Sequence, residues 1–168
     1  MVKQAGPSDI PVIEGILLDA VKWMAENELS NQWNETNIMW YNLSKSYQIE
    51  DFYIVYHDID YLDQGPAACM AITDYDPTYW PDIPKGESIY IHKMAVKRTF
   101  AGKGFSRELI KYAKGLAKGR STSTIRLNCN GYRSKLRKLY ENEGFICVEE
   151  KVFSQGYNTA LYVCHLPE

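Results

Sequence analysis

The sequence predicts an α/β layer fold built on a mixed sheet. Apolar residues recur at the i, i+3, i+4, i+7 spacing of amphipathic helices near the start of the chain and again after residue 104. Short apolar and β-branched runs, bounded by turn-forming residues, are typical of strands in the rest of the chain. The predicted order is two helices followed by β-β-β-α-β-α-β-β, which fits a sheet covered by helices. No linker-like change of composition interrupts the chain, so we expect one domain over residues 1–168.

Two helices are predicted before the first strand. Residues 9–28 carry the stronger helical pattern, and Ser8 or Asp9 can cap the first turn, where Pro11 is tolerated. Residues 34–46 carry a weaker pattern. The apolar side of this second helix is formed by Ile38, Trp40, Tyr41 and Leu43.

Strands and a long loop follow these helices. Residues 52–56 and 67–73 are predicted strands, joined by the turn-rich residues 57–66. Residues 74–86 contain three prolines, two tyrosines and a tryptophan without a period, which predicts a loop. Because long aromatic loops often carry binding residues, this loop is a candidate binding loop. The strongest strand pattern then covers residues 87–96.

The second half of the chain contains two further helices. The first begins at Phe105 and has one apolar face, with lysines on the other. The second covers residues 133–143 with Tyr140 facing inward, and Gly144 stands where a glycine commonly ends a helix. The remaining predicted strands are 124–129, 145–153 and 159–166. The last two strands form a hairpin whose edge can pair two subunits, so a homodimer is a candidate assembly.

Composition and charge exclude several classes of protein. The 19 basic and 21 acidic residues argue against sequence-independent nucleic-acid binding, because that binding needs a surplus of positive charge. No apolar run approaches the roughly 20 residues that span a bilayer, and the first residues lack the apolar core of a signal peptide. We therefore expect a cytoplasmic protein with no membrane partner. The four cysteines form no C-x-x-C pair and have no histidine at ligand spacing, so no metal site is expected.

A glycine-rich turn at residues 101–106 (AGKGFS) lies between a predicted strand and a predicted helix, as in anion-binding sites. Glycine allows a sharp turn, and the amides of the following helix's first turn point toward the ligand. A nucleoside-triphosphate P-loop is excluded, because Gly104 follows Gly102-Lys103 where Ser or Thr is required. A dinucleotide fingerprint is disfavoured, because Arg107 occupies the place of its third glycine.

One combination of motifs resembles a known family. It joins the strand MAV at 94–96, the turn AGKGFS at 101–106 and the segment YENEGF at 140–145. This combination resembles the GNAT superfamily of acetyl-CoA-dependent N-acetyltransferases, closely over residues 87–145 and in element order over the whole chain. The resemblance implies a mixed, mostly antiparallel central sheet with helices on both faces. It also implies acetyl-CoA as cosubstrate, without a metal.

The resemblance also implies which residues bind CoA. The family's loop, [QR]-x-x-G-x-[GA], cradles the pyrophosphate with backbone amides, and the strand before it holds the pantetheine arm. Ala101 takes the Gln/Arg place and Ser106 the last place, but neither departure removes an amide, so pyrophosphate binding is expected to survive. A further departure places Arg133 where the family has an asparagine. The expected CoA-binding residues are Met94, Ala95, Val96, Ala101, Gly102, Lys103, Gly104, Phe105, Ser106 and Arg133.

The catalytic candidates come from the same resemblance and from the chemistry of amines. Tyr140 matches the tyrosine that protonates the leaving CoA thiolate in the family. A base is also needed, because an ammonium must lose a proton before it can attack. His92 is the first candidate base, in a stretch that resembles the H-x-H-x-L-A-V segment of arylalkylamine acetyltransferases, and alternation is expected to place Tyr90, His92 and Met94 on one face. Glu87, at the predicted start of this strand, is the second candidate.

The acceptor site is implied to involve residues 31–35 and the loop before residue 87. The candidate substrate-binding residues are Trp33, Glu35, Tyr79 and Trp80. Aromatic walls with nearby acids such as Asp74 or Asp76 suit a cationic amine, through cation–π and carboxylate contacts. The expected partner is a small-molecule amine of undetermined identity.

Two functions from different classes stay open. The first is an N-acetyltransferase that works by direct attack in a ternary complex, with a peptide or protein N-terminus as a variant acceptor. The second is a CoA-binding sensor or structural protein without significant transferase activity, which the departures at Ala101 and Arg133 keep open. A covalent route through Cys129 is disfavoured, because no histidine lies near it in the sequence.

Overall fold

The computed structural model describes residues 1–29, 32–57, 65–154 and 156–167, and the elements below belong to those residues. The helices are α1 (Ile10–Glu26), α2 (Trp40–Leu43), α3 (Phe105–Gly119) and α4 (Ser134–Asn142). The strands are β1 (Val2–Gln4), β2 (Phe52–His57), β3 (Gly65–Thr73), β4 (Ile89–Val96), β5 (Thr124–Asn130), β6 (Ile146–Val152) and β7 (Asn158–His165). Most of the predicted turn-rich segment at 57–66 lies outside the described residues.

The strands form one seven-stranded sheet in the order β1-β2-β3-β4-β5-β7-β6. The pairs β1/β2, β2/β3, β5/β7 and β6/β7 are antiparallel, whereas β4 and β5 are parallel. The parallel register pairs Ile89 with Ile125 and Tyr90 with Arg126. The predicted mixed, mostly antiparallel sheet is therefore confirmed.

The first of two compact units comprises Met1–Ile72 and Lys93–Tyr112. Its core joins the apolar face of α1 to side chains of β2 and β3. The buried members from these elements include Ile13, Ile16, Leu17, Phe52, Ile54, Cys69 and Ala71. Because burying one such large side chain contributes about 1.5–3 kcal/mol, this face holds α1 in place.

The second compact unit comprises Thr73–His92 and Ala113–Glu168. Its aromatic core combines β4 and β7 with the loop at residues 74–86. The buried members are Trp80, Tyr90, Leu161 and Val163. The irregular structure predicted for the loop is confirmed, and the loop contributes Trp80 to the core.

The second predicted helix is much shorter than the expected 34–46, because only Trp40–Leu43 is helical. Asn34 Oδ1 accepts hydrogen bonds from two following amides at 2.9 and 2.8 Å, and Asn37 Oδ1 accepts from the Asn34 amide at 2.9 Å. Such bonds offer the backbone an alternative to the helix. Tyr41, predicted on the apolar side, is 78% exposed.

Asp9, one of the two predicted capping residues, lies at the start of α1. Asp9 stands at the N-cap position, but its side chain makes no capping bond to α1. Its carboxylate accepts from the Gly6 amide at 2.9 Å and from the Lys3 ammonium at 3.2 Å. These bonds, that from Gly6 above all, hold the pKa of Asp9 below its usual value, and they close a 3₁₀ turn ahead of the helix.

Strand β1 is not predicted by the sequence. Its three residues (VKQ) are too few to show a period, and it is defined by its pairing with β2, in which Val2 lies opposite Val55. At the other end of the sheet, the edge strand β6 exposes Ile146, Val148 and Val152. Pairing of two subunits through the last hairpin stays a prediction.

Strand β4 begins at Ile89 rather than at Glu87. The reason is a turn at Gly86, whose φ is +87° and whose amide donates to the Asp74 carbonyl at 2.9 Å. Glu87 and Ser88 therefore belong to the end of the loop.

A backbone irregularity interrupts β4 at Lys93, whose φ of +51° is rare for a residue other than glycine. Before it, Tyr90 and His92 share a face as predicted, with their rings stacked at 6.3 Å. The predicted alternation cannot be extended to Met94, because a left-handed residue breaks the period of two.

No helix among the described residues is long and apolar enough to cross a bilayer.

Candidate active site

The glycine-rich turn adopts a conformation that requires glycine. Gly102 has φ +76° and Gly104 has φ +88°. A Cβ at either position would meet no described atom within 4 Å, so the backbone angle rather than a lack of space selects glycine. The first bond of α3 runs from the Glu108 amide to the Gly104 carbonyl at 3.1 Å, which leaves the amides of Phe105 and Ser106 ahead of the helical ladder. Helix N-termini of this kind bind phosphate groups.

The chain just before this turn is anchored on α1 and β3. The Arg98 amide donates to Asp19 Oδ2 at 2.7 Å, and the Arg98 guanidinium lies 3.7 Å from the centroid of the Trp23 ring. The Lys97 amide donates to the Ala67 carbonyl at 2.8 Å. A cation–π contact and two backbone bonds therefore fix where the turn begins.

Aromatic packing also supports the turn. The His57 ring lies 5.0 Å from the Phe100 ring and 5.3 Å from the Phe105 ring, so these side chains pack against the end of β2. Lys103 is exposed, with its ammonium 5.3 Å from the Phe100 centroid. Its positive charge is thus exposed beside the turn.

The end of β4 follows the left-handed residue Lys93. Ala95 is buried in the core of the first unit, while Met94 and Val96 are half-buried. Because an irregular residue breaks the regular ladder locally, it can free backbone groups for a ligand.

Tyr140 lies on α4 and is held as a neutral phenol. It is 6% exposed, and its ring contacts Phe145 and Tyr162, each at 6.0 Å. Burial raises the pKa of the Tyr140 hydroxyl well above its usual value. A phenol that keeps its proton is chemically suited to act as a general acid.

Arg133 and Cys129 are neighbours of this phenol. Arg133, at the N-cap of α4, lowers the pKa of Tyr140 by its positive charge, which would favour the phenolate formed after proton donation. Burial raises the pKa of the Cys129 thiol to about 12, so it is not a nucleophilic thiolate near neutral pH.

His92 is half-buried and held by a hydroxyl. Its Nε2 lies 2.9 Å from Thr73 Oγ1, which itself donates to the Tyr75 carbonyl at 3.2 Å. Since the hydroxyl has a single proton, it accepts from Nε2–H, which places the imidazole lone pair on Nδ1. Glu87, the other candidate base, is exposed in the loop ahead of β4.

The acceptor candidates of the first unit line a cavity. Trp33 and Glu35 border a space of about 490 Å³ together with residues from the end of α1. The Lys93 ammonium lies 5.3 Å from the Trp33 centroid, and burial lowers the pKa of Lys93. Asn31, part of the predicted acceptor stretch, lies outside the described residues.

The acceptor candidates of the second unit lie in its aromatic core. Trp80 is 7% exposed, and the guanidinium of Arg126 lies 4.7 Å from its ring centroid. Tyr79 packs edge-to-face on Phe153 at 4.7 Å. The sequence predicts aromatic walls that are open to a cationic amine. In the structure, cationic side chains of the chain itself contact both Trp33 and Trp80.

Arg126 is a candidate site residue that belongs to none of the sequence motifs. A signal for it exists in TIRLNCN of β5, where Arg126, Asn128 and Asn130 are half-exposed and alternate with buried Ile125, Leu127 and Cys129. The alternation predicts a polar face, but only the register with β4 reveals that Arg126 neighbours Tyr90.

A comparison with protein families identifies the chain. The model of the acetyltransferase (GNAT) family matches residues 19–145, which include the glycine turn and Tyr140. The chain belongs to this family. The resemblance inferred from the motifs and the assignment as an acyltransferase are confirmed.

Among curated proteins, this GNAT chain is similar to the uncharacterized N-acetyltransferase YesJ of Bacillus subtilis (strain 168). The two are 28% identical over 145 residues, which cover 82% of this chain and 76% of YesJ.

Solved structures share the GNAT fold at low sequence identity. A GNAT-family acetyltransferase from Listeria monocytogenes 4b F2365 has a TM-score of 0.71 at 22% identity, over 99% of this chain and 94% of that one. YncA from Salmonella typhimurium, solved with its cofactor acetyl-CoA, has a TM-score of 0.67 at 14% identity, over 100% of this chain and 94% of that one. N-acetylglutamate synthase from Neisseria gonorrhoeae, complexed with coenzyme A and N-acetyl-glutamate, has a TM-score of 0.69 at 18% identity, over 100% of this chain and 35% of that one.

Proposed function

We propose that this GNAT chain moves an acetyl group from acetyl-CoA to the primary amine of a small molecule, by direct attack in a ternary complex. The observation that carries the proposal is the turn with positive φ at Gly102 and Gly104, which leads into the first amides of α3. The two solved relatives that hold acetyl-CoA or coenzyme A support the choice of cosubstrate.

The local structure supports the expected CoA-binding residues. The amides around Gly104 and at the start of α3 bind the pyrophosphate, because they combine turn geometry with the positive end of a 15-residue helix. Lys103 adds a positive charge, and Ala101 removes only a side chain. The backbone of Met94–Val96 binds the pantetheine arm next to the irregular residue of β4.

Two side chains move the protons. Acetyl-CoA supplies the acyl group as a thioester. His92 accepts a proton from the acceptor's ammonium and passes it to solvent, which leaves a neutral amine to form the C–N bond. Tyr140 donates its phenolic proton to the sulfur as the C–S bond breaks, and it recovers a proton from the nitrogen that becomes the amide. One proton is thus released per turnover.

His92 is preferred to Glu87 as the base. The His92 ring is oriented by Thr73 and stacked on Tyr90, whereas Glu87 is exposed. An imidazole titrates near neutral pH without further tuning, and a solvated carboxylate is a weak base there.

The test is thiol release from acetyl-CoA with a panel of primary amines, with the product identified by mass spectrometry. We expect His92→Gln to lower kcat by about 10²–10³-fold, as for loss of a general base. Glu87→Gln, in the same region of the chain, is the matched control and should retain near-wild-type kcat.

Saturable binding of acetyl-CoA without transfer to any amine or peptide N-terminus would contradict the transferase and favour a CoA-binding protein. Equal losses in the two variants would contradict the choice of His92.

A further inference from the structure

Buried polar atoms without partners gather in the second unit near His92. They are Asp76 Oδ2, Trp80 Nε1 and the Tyr90 hydroxyl, none of which has a hydrogen-bond partner among the described residues. The side chains are nearly inaccessible, with 7% of Asp76, 7% of Trp80 and none of Tyr90 exposed. Folded proteins rarely leave buried polar groups unpaired, so each of these atoms calls for a partner that the described residues do not supply.

Contacts join these residues into one cluster around Arg126. Tyr90 pairs with Arg126 in the parallel register of β4 and β5, so their side chains are neighbours on one face. The Arg126 guanidinium lies 4.7 Å from the Trp80 centroid, and the Trp80 amide donates to the Asp76 carbonyl at 2.9 Å. The stacking of Tyr90 on His92 links the cluster to the proposed base.

The positive charge of the cluster lies on Arg126. Arg126 Nε donates to Ser88 Oγ at 3.0 Å, but the two terminal nitrogens have no partner in the described part of the chain. Burial raises the pKa of Asp76, because desolvation disfavours the charged carboxylate. The Tyr90 hydroxyl lies near Ser88, and burial raises the pKa of Tyr90.

The chemistry of these atoms selects an anion. Arg126, Trp80 and Tyr90 all present donors, and a guanidinium binds a carboxylate through two parallel bonds. A cationic group would be repelled by Arg126, which already contacts the Trp80 ring that such a group would use. A single guanidinium matches a monoanion, so a carboxylate fits better than a phosphate dianion.

We propose that Arg126, with Tyr90 and Trp80, binds a carboxylate of the acceptor, so that the acceptor is an amino acid or a close analogue. The ring of Tyr90 stacks on that of His92, the proposed base. A carboxylate bound at Tyr90 and an amine held at His92 would therefore be only a few bonds apart in the acceptor. This inference rests on the proposed transferase function, with His92 as the base.

The experiment compares three matched sets of acceptors: the twenty L-amino acids, their C-terminal amides, and the corresponding decarboxylated amines. Wild type should acetylate at least one amino acid with a kcat/KM about 10- to 100-fold above that of its amide, the range expected for hydrogen bonds to a charged group. Arg126→Gln should remove this preference through KM, with unchanged kcat for the amide and unchanged acetyl-CoA affinity. Arg126→Lys should restore part of it, and Tyr90→Phe should weaken it without loss of stability.

Arg120→Gln is the control for the loss of one positive charge, since Arg120 is exposed just beyond α3 in the same unit. The inference would be overturned if wild type acetylated the amides with the same kcat/KM as the amino acids. It would also be overturned if Arg126→Gln lowered kcat/KM equally for the amino acids and the amides. Acetyl transfer to the decarboxylated amines with a kcat/KM equal to or above that of the matching amino acids would overturn it while leaving the proposed function intact. If acetyl-CoA neither binds nor reacts, the proposed function is wrong, and calorimetric titration of the amino acids into wild type and Arg126→Gln decides the inference alone.

Discussion

Replacement of Tyr140 by phenylalanine should separate catalysis from folding. The ring of Tyr140 is buried, but its hydroxyl forms no hydrogen bond within the part of the chain that the structure describes. Removing the oxygen therefore breaks no internal bond and leaves the packing of the ring intact. The free energy of unfolding should change by less than about 1 kcal/mol.

The same substitution removes the proposed proton donor. General acid catalysis contributes about 10²–10⁴-fold, so kcat should fall by at least about 10²-fold. The affinity for acetyl-CoA should not change, because a side chain that acts only in the transition state does not contribute to ground-state binding.

Tyr162→Phe is the matched control and should show the opposite behaviour. The Tyr162 hydroxyl accepts from Arg137 Nε at 2.9 Å and donates to Glu141 Oε1 at 2.8 Å. Removing it breaks two hydrogen bonds, to the half-buried Arg137 and the exposed Glu141, which costs about 0.5–1.5 kcal/mol for each bond. For a chain of this size, each kcal/mol lowers Tm by about 2–4 °C, so Tm should fall by several degrees while kcat falls far less than in Tyr140→Phe.

The assay combines steady-state thiol release, calorimetric titration of acetyl-CoA and thermal unfolding of both variants. A Tyr140→Phe variant with wild-type kcat would refute the role of Tyr140 as the acid. Parallel losses of kcat, acetyl-CoA affinity and stability would show that Tyr140 serves packing instead.

Two further predictions concern stability. Asp9 has a lowered pKa in the folded state, chiefly because of the Gly6 amide, so its contribution is present above the unfolded value near 3.8 and is lost as the pH falls below it. In urea titrations from pH 7 to pH 3, Asp9→Asn should be less stable than wild type at pH 7 and should lose less stability as the pH falls. Parallel plots of the free energy of unfolding against pH for the two proteins would contradict this. Gly115→Ala, on the exposed side of α3, should raise the free energy of unfolding by about 0.5–1 kcal/mol, because the site is helical and a Cβ there meets nothing within 4 Å. An unchanged Tm would contradict this.

Elements with a clear period could be predicted from the sequence. Helix α1 and strands β2 to β7 follow apolar patterns that local spacing reveals, with bounds shifted by a few residues. The glycine turn could also be predicted, because Gly102 and Gly104 adopt the backbone angles that glycine favours. The family motif at Tyr140 adds a role that no period can show.

The differences have local and long-range causes. The second helix is shortened by side-chain bonds of Asn34 and Asn37, which compete with helical bonds over short distances. The left-handed backbone at Lys93 has no signal in its residue type. The contacts of Lys93 with Trp33 and of Arg126 with Trp80 depend on residues distant in sequence, so periodicity cannot predict them.

The most direct test of the central claim is calorimetric titration of the purified chain with acetyl-CoA, with ATP and NAD as controls. We expect saturable binding of acetyl-CoA alone. Gly104→Val should weaken it by about tenfold or more, because a side chain at φ +88° costs about 1–2 kcal/mol, whereas Gly115→Ala should bind as wild type does. Absence of acetyl-CoA binding, or equal affinity in Gly104→Val and wild type, would contradict the assignment of the glycine turn.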